Sequence, residues 1–233
     1  MTGNVHSIQS LATLDGPGVR VAIFLQGCNL HCKCCHNPDT IPFDGGTQYT
    51  SEEILQKVLS YRDYFGKKGG ITFSGGEPLM QADFCREVFE LCHQNGINTC
   101  LDTSGCILND SVKALLEVTD RVLLDIKYSD EVKYRENVGM ELKSALDFLD
   151  YLDERSIPTT LRRVIIPTMS DDDEGTLHLA SLAKSHKCVD KVELLPFCKI
   201  CQSKYDNMGI EFPFGHLPVP THQRMDELEQ LIK

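Results

Sequence analysis

Positive charge is what this 233-residue sequence most plainly lacks: Lys and Arg total 23 against 34 Asp and Glu, for a formal net charge of −11. Binding a nucleic-acid backbone takes a basic stripe or patch, and the few basic residues here do not cluster, so no nucleic-acid partner is expected. Long apolar runs are missing too. The first twenty residues hold no basic segment followed by a hydrophobic stretch, and the early apolar run 21–25 is far too short to span a bilayer. No membrane partner is expected, and the chain reads as cytoplasmic. Internal repeats, low-complexity segments and linkers are also lacking, and the length suits one α/β domain over residues 1–233.

Cysteine, by contrast, is plentiful, with eleven residues and four of them between positions 28 and 35. Without an export signal these thiols stay reduced, so a tight cluster points to metal binding or catalysis rather than to a disulfide framework. The segment Cys28-Asn29-Leu30-His31-Cys32-Lys33-Cys34-Cys35 sets Cys28, Cys32 and Cys35 at the spacing C-x3-C-x2-C. Three thiolates in one loop can converge on a single centre. Closed zinc sites and ordinary electron-transfer clusters take four protein ligands, whereas catalytic metal sites leave a position open. On spacing alone the competing reading is a zinc site completed by Cys34, His31 or His36.

Apolar runs and turn residues alternate along the chain as strand then helix. A strand over 19–25 runs into the cysteine loop, and others read at 70–73, 98–102, 121–127, 159–166 and 191–196. Thr50 and Glu53 have capping-box spacing and predict a helix over 51–65 that Gly66 stops; others read near 81–94, 110–118, 141–154, 172–185 and from 221 to the end. The acidic run 171–174 after Ser170 suits the first turn of a helix, where carboxylates meet the positive end of the dipole. Six strand–helix units imply a parallel sheet, either doubly wound or a partial barrel. The segment 212–220, with three prolines and two aromatics, reads as an ordered loop. Cys85, Cys92, Cys100, Cys106 and Cys188 read as small apolar fillers.

Other motifs are weaker in isolation. Ser74-Gly75-Gly76-Glu77-Pro78 follows a strand, where missing Cβ atoms allow close approach to a ligand or simply make a turn. Asp125 and Lys127 end a strand with their side chains on one face. Asp102 reads as a strand-end turn residue, and Asp15-Gly16-Pro17-Gly18 as a turn. Cys198-Lys199-Ile200-Cys201 adds a C-x2-C pair ten residues after Cys188, a spacing that suits a metal or a redox disulfide.

The C-x3-C-x2-C loop after the first strand resembles the signature of the radical S-adenosylmethionine (SAM) enzymes. Asp15-Gly16-Pro17-Gly18-Val19-Arg20, Gln26-Gly27-Cys28, Cys35-His36-Asn37, Leu101-Asp102-Thr103-Ser104-Gly105 and Leu194-Leu195-Pro196-Phe197 fall in matching order. Together they resemble the glycyl-radical-enzyme activases over nearly the whole chain, without the ferredoxin-like insertion that longer activases carry after Cys35. The resemblance implies an open (β/α)6 partial TIM barrel of the radical SAM type, with its chemistry at the C-terminal strand ends, near which all these motifs are expected.

It also implies a [4Fe-4S] cluster on Cys28, Cys32 and Cys35, with SAM at the open iron. Cys34, Cys35 and His36 would line SAM; Gly75, Gly76 and Glu77 would hold its methionine part. Asp125, Ile126 and Lys127 match a segment that contacts SAM, and Asn37 and Arg162 match polar residues near its carboxylate and ribose. Asp102, Thr103, the Leu124 carbonyl and Asp125 match a monovalent-cation site. Asp15 matches the residue that meets the partner's glycine loop. The implied activity is reductive cleavage of SAM to a 5′-deoxyadenosyl radical, which takes hydrogen from a backbone glycine of a glycyl radical enzyme of the pyruvate formate-lyase type. Flavodoxin or ferredoxin would supply the electron to a monomeric enzyme. One position departs: Cys198 stands where the family has a histidine that reaches SAM, and a thiol donates only weakly. Another glycyl radical enzyme as target, or a non-catalytic zinc-binding interaction module, are the competing readings.

Overall fold

A computed structural model describes residues 1–233, and the chain forms two compact units. The first comprises Met1–Asn29 and Thr40–Leu123; the second comprises Leu30–Asp39 and Leu124–Lys233.

The first unit is built on β1 (Thr2–Ala12), β2 (Arg20–Leu25), β3 (Thr47–Thr50), β4 (Gly70–Gly75), β5 (Asn98–Thr103) and the start of β6 (Arg121–Asp125), in the order β3-β1-β2-β4-β5-β6. β2, β4 and β5 run parallel, with Ala22, Thr72 and Cys100 in register. These strands are buried on both faces; β2 accordingly reads as a continuous apolar run, whereas β4 and β5 bury Thr72, Ser74, Thr99 and Thr103 among their apolar residues. Helices α1 (Ser51–Leu59), α2 (Ala82–Gln94) and α3 (Asp110–Leu116) complete the unit. The capping box starts α1: Thr50 Oγ1 accepts from the Glu53 amide at 3.2 Å and Glu53 Oε2 accepts from the Thr50 amide at 2.8 Å. α1 is shorter than the expected 51–65, because the chain passes into a 3-10 turn at Arg62–Tyr64 before Gly66. α2 sets Phe84 and Phe89 against Phe73 of β4, at centroid distances of 5.9 and 5.2 Å.

The second unit contains α4 (Glu131–Val138), α5 (Leu142–Glu154), β7 (Thr159–Ile165), α6 (Asp173–Ser185), β8 (Val189–Pro196), α7 (Gln202–Met208) and α8 (His222–Leu231), with β7 and β8 parallel. Asp172 caps α6 by accepting from the Gly175 amide at 2.6 Å. Ser170, just before the acidic run, is instead buried and bonds the Ile166 amide and Val164 carbonyl. Phe212 and Phe214 join Ile166, Phe197, Cys201 and Tyr205 in an apolar cluster that orders the 212–220 segment. No helix is long and apolar enough to cross a membrane.

Candidate active site

Cys28 leaves the C-terminal end of β2 held by its backbone: the Gly27 amide donates to the Thr40 carbonyl at 2.8 Å and the Cys28 amide to the Ile41 carbonyl at 3.0 Å. The Gly75-Gly76-Glu77 loop is fastened to the same stretch. Glu77 N–H donates to the Gly27 carbonyl at 2.9 Å and Gly76 N–H to the Leu25 carbonyl at 2.8 Å. A Cβ on Gly75 would lie 2.3 Å from the Leu25 nitrogen, and one on Gly76 would lie 2.2 Å from the Gly27 oxygen. The glycines are therefore required by backbone packing beside the entry to the cysteine loop, whatever else approaches them.

Glu77 is buried and its carboxylate is saturated. Oε1 accepts from the Thr103 hydroxyl at 2.6 Å and the Leu79 amide at 3.1 Å; Oε2 accepts from the Ser104 hydroxyl at 2.6 Å and the Ser104 amide at 3.0 Å. It thus ties the glycine loop to the end of β5. Thr103 Oγ1 also accepts from the Gly105 amide at 3.1 Å, and Asp102 Oδ2 accepts from the Ser74 hydroxyl at 2.8 Å.

In the second unit, the remainder of the cysteine loop rests on the C-terminal end of α4: the His31 amide donates to the Val138 carbonyl at 3.3 Å and the Lys33 amide to the Asn137 carbonyl at 2.9 Å. The Tyr205 hydroxyl donates to the Cys35 carbonyl at 3.1 Å. Burial pushes the Cys34 thiol up to about 12 and the Cys35 thiol up to about 11. Asp125, at the end of β6, accepts from Lys127 Nζ at 2.7 Å and from Arg162 Nε of β7 at 3.0 Å. Burial works to raise the Asp125 carboxyl, but the two cations overcome it and hold it down at about 2. Lys127 is desolvated as well, yet the Asp125 carboxylate at 2.7 Å keeps it firmly protonated. Ile126 anchors the segment, its amide donating to the Arg162 carbonyl at 2.9 Å. Leu124, one residue earlier, is fully buried.

Asn37 Oδ1 accepts from Lys204 Nζ at 2.8 Å, and the same ammonium reaches Asp39 at 3.0 Å. His36 Nε2 lies 3.7 Å from Cys198 Sγ, so the residue that departs from the family pattern touches one of the residues expected to line SAM. Burial, then Lys204, lowers the His36 pKa, which leaves a neutral ring able to accept from the thiol. Cys201 is buried among Phe197 and Tyr205, and Cys188 lies elsewhere, its amide donating to Asp153 Oδ1 at 2.8 Å.

Two features escaped the sequence. Cys106, read as an apolar filler, is only partly buried and its thiol donates to Asn29 Oδ1 at 3.4 Å, next to Cys28. Asp15 does not lie at a C-terminal strand end: its loop precedes β2 and folds over the strand face, with its carbonyl accepting from the Thr72 hydroxyl at 2.6 Å. Nothing local in the turn motif signals that fold-back, because the partner residue is 57 positions away.

Residues 22–180 match the model of the Radical SAM superfamily, so the chain is a member of that class. It is 38% identical over 232 residues to a pyruvate formate-lyase-activating enzyme of Clostridium pasteurianum, covering 99% of this chain and 97% of that one. It is 36% identical over 234 residues to the pyruvate formate-lyase 1-activating enzyme of Escherichia coli K12, covering 99% and 95%. Within the superfamily, the chain belongs to the family of the pyruvate formate-lyase-activating enzymes. The fold agrees: a crystal structure of a domain of pyruvate-formate lyase-activating enzyme from Bacteroides vulgatus matches with a TM-score of 0.59 at 21% identity, covering 70% of this chain and 92% of that one. The architecture is the open partial barrel of the radical SAM type, and a [4Fe-4S] cluster and SAM are the cofactors that membership implies.

The loop's cysteines are the donors such a cluster takes, although no three His, Cys, Asp or Glu side chains are gathered in the structure as a metal site. A partly buried ammonium, Lys127, works against burial at Cys34 and Cys35 by lowering both thiols, and such a charge favours thiolate over thiol.

Proposed function

We propose that this chain is a radical SAM activase that generates the glycyl radical of pyruvate formate-lyase (formate acetyltransferase). The observation that carries the reading is end-to-end similarity to activating enzymes of that lyase in a chain that keeps the C-x3-C-x2-C loop. When bound, the reduced cluster supplies the electron that cleaves SAM, and the 5′-deoxyadenosyl radical takes a hydrogen atom from the partner's glycine.

The protein's own work is binding and placement. Cys28, Cys32 and Cys35 hold the cluster. Arg162 and Lys127, kept charged beside Asp125, favour an anionic group such as the SAM carboxylate. Gly75 and Gly76 offer backbone for the methionine amino end, and Glu77 holds that loop in place. Cys34, His36, Asn37, Ile126 and Cys198 complete the SAM-binding set. By resemblance, Asp102, Thr103, the Leu124 carbonyl and Asp125 take a monovalent cation, and Asp15 meets the partner's glycine loop. Flavodoxin or ferredoxin supplies the electron to a cytoplasmic monomer, a compartment that the eleven free thiols favour.

Anaerobic reconstitution tests the reading. The holoenzyme is expected to be brown with about four irons per chain, and with SAM and reductant to give the lyase a glycyl-radical doublet in electron paramagnetic resonance. A colourless zinc protein, or an intact reduced cluster that yields no doublet, would overturn it.

A further inference from the structure

The returning arm of the cysteine loop lies against the segment that carries α7. Cys34 packs on the apolar cluster of Phe197, Cys201, Tyr205 and Phe212, and the Cys35 carbonyl accepts from the Tyr205 hydroxyl. His36 meets Cys198, and Asn37 and Asp39 both accept from Lys204. Lys204 and Tyr205 are neighbours on α7. The tyrosine ring is buried and stacked on Phe212, with centroids 4.5 Å apart and planes at 21°, and the Lys204 amide donates to the Cys201 carbonyl at 2.9 Å. The backbone that carries the ammonium is therefore fixed.

The exposure of that ammonium decides what it contributes. The Lys204 and Asp39 side chains are 35% and 27% exposed, and an ion pair so open to water adds little to stability. The contact with Asn37, at 2.8 Å, has a different consequence. An amide side chain carries an acceptor at one end and two donors at the other, and an ammonium can only donate. The Asn37 oxygen is thus the end that faces Lys204, while Asp39, at 3.0 Å from the same nitrogen, keeps the ammonium from swinging away. With its oxygen so engaged, the Asn37 side chain meets a ligand as an N–H donor. The groups of SAM expected near it, the carboxylate and the ribose hydroxyls, both accept. A carbonyl oxygen turned toward the carboxylate would repel it.

We infer that Lys204 is a positioning residue for SAM: it fixes which end of the Asn37 side chain the ligand meets, so that a donor is in place before SAM arrives. The inference rests on the activase reading above and deepens it by giving α7 a part in the SAM site. Ordering a side chain in advance removes that cost from binding. Because Lys204 acts through Asn37, its removal should cost nothing further once Asn37 is gone.

The test measures equilibrium SAM binding, iron content, and the KM and kcat of SAM cleavage on the reconstituted holoenzyme. The variants are Lys204→Met, Lys204→Arg, Asn37→Ala and the double variant carrying Lys204→Met and Asn37→Ala. Lys204→Met keeps the stem of the side chain and removes the charge. It should weaken SAM binding and raise the SAM KM about five-fold, with kcat within about two-fold of the parent and iron unchanged at about four per chain. Lys204→Arg keeps donors for both oxygens and should bind SAM within about two-fold of the parent. Asn37→Ala should weaken binding about ten-fold, and the double variant no further. A double variant weakened about fifty-fold, the product of the two single effects, overturns the inference. So does unchanged SAM affinity in Lys204→Met, or a fall in iron content alongside the loss, the mark of a merely structural role. If the unmodified holoenzyme with its full iron fails to bind SAM, the activase reading falls first and takes this one with it.

Discussion

Glu77 spends its whole carboxylate inside the protein, on two hydroxyls and two amides. Glu77→Gln replaces one acceptor oxygen by a donor and leaves a buried amide or hydroxyl facing another donor. We expect this to lower unfolding stability by about 1–3 kcal/mol, measured by urea denaturation, and to weaken SAM binding through a loosened glycine loop. Cys198 gives the opposite expectation. Its thiol contacts His36 at 3.7 Å as a weak donor, so Cys198→Ala should change SAM affinity by less than about three-fold; a larger loss would give the thiol a stronger role than its chemistry suggests. The Gly-Gly pair was legible as a motif, but its physical reason was not, because the atoms it packs against belong to Leu25 and Gly27, some fifty residues earlier. Cys106 was misread for a similar reason, since a cysteine's type does not reveal that its neighbour is Asn29 of the cluster loop.

The elements most readable from sequence carry their own signals: Thr50 with Glu53 starts α1, Asp172 starts α6, and the buried β2 is a continuous apolar run. β1, β3, α4 and α7 were not read. β1 and β3 are polar segments that become strands by antiparallel pairing with each other and with β2, a tertiary effect. α4 is also polar, fixed at its start by Asp130 and at its end by Gly139 at φ +85°. Its last carbonyls nonetheless hold the cysteine loop, so part of the site's scaffold was invisible to pattern. The ends of β6 and β7 meet in the Asp125 ion pairs. Asp125→Asn leaves two cations together without a counter-charge and should cost about 3 kcal/mol in unfolding stability. At the end of α6, burial disfavours charge on His186, but the Asp150 carboxylate and the Leu182 carbonyl more than offset it and raise its pKa. That stabilisation is complete below the ordinary histidine value of about 6.5 and is lost as pH rises through the raised folded value. The urea midpoint should therefore fall slightly from acid toward mildly alkaline pH, and Asp150→Asn should flatten the trend.

At the scale of the whole molecule, the placement of the Asp15 loop was the least legible feature, because the hydroxyl that fixes its backbone belongs to Thr72 in another strand. The expected cluster ligands were the most legible, since they share eight consecutive residues. Cys28→Ser, Cys32→Ser and Cys35→Ser should each abolish the visible absorption of the reconstituted protein while leaving its circular dichroism close to the parent; retained iron in any one would remove that cysteine from the ligand set. The distribution of thiols offers a further handle. Cys85, Cys92, Cys100, Cys188 and Cys201 are buried, whereas Cys28, Cys32, Cys34, Cys35, Cys106 and Cys198 are each partly open. An alkylating reagent applied to the native chain at alkaline pH, where more of the raised thiols ionise, and followed by intact-mass spectrometry thus has a short list of targets, all in or near the candidate site. Iron bound by three of them would be read as missing mass increments, so cofactor occupancy can be scored molecule by molecule, without electrons, substrate or partner.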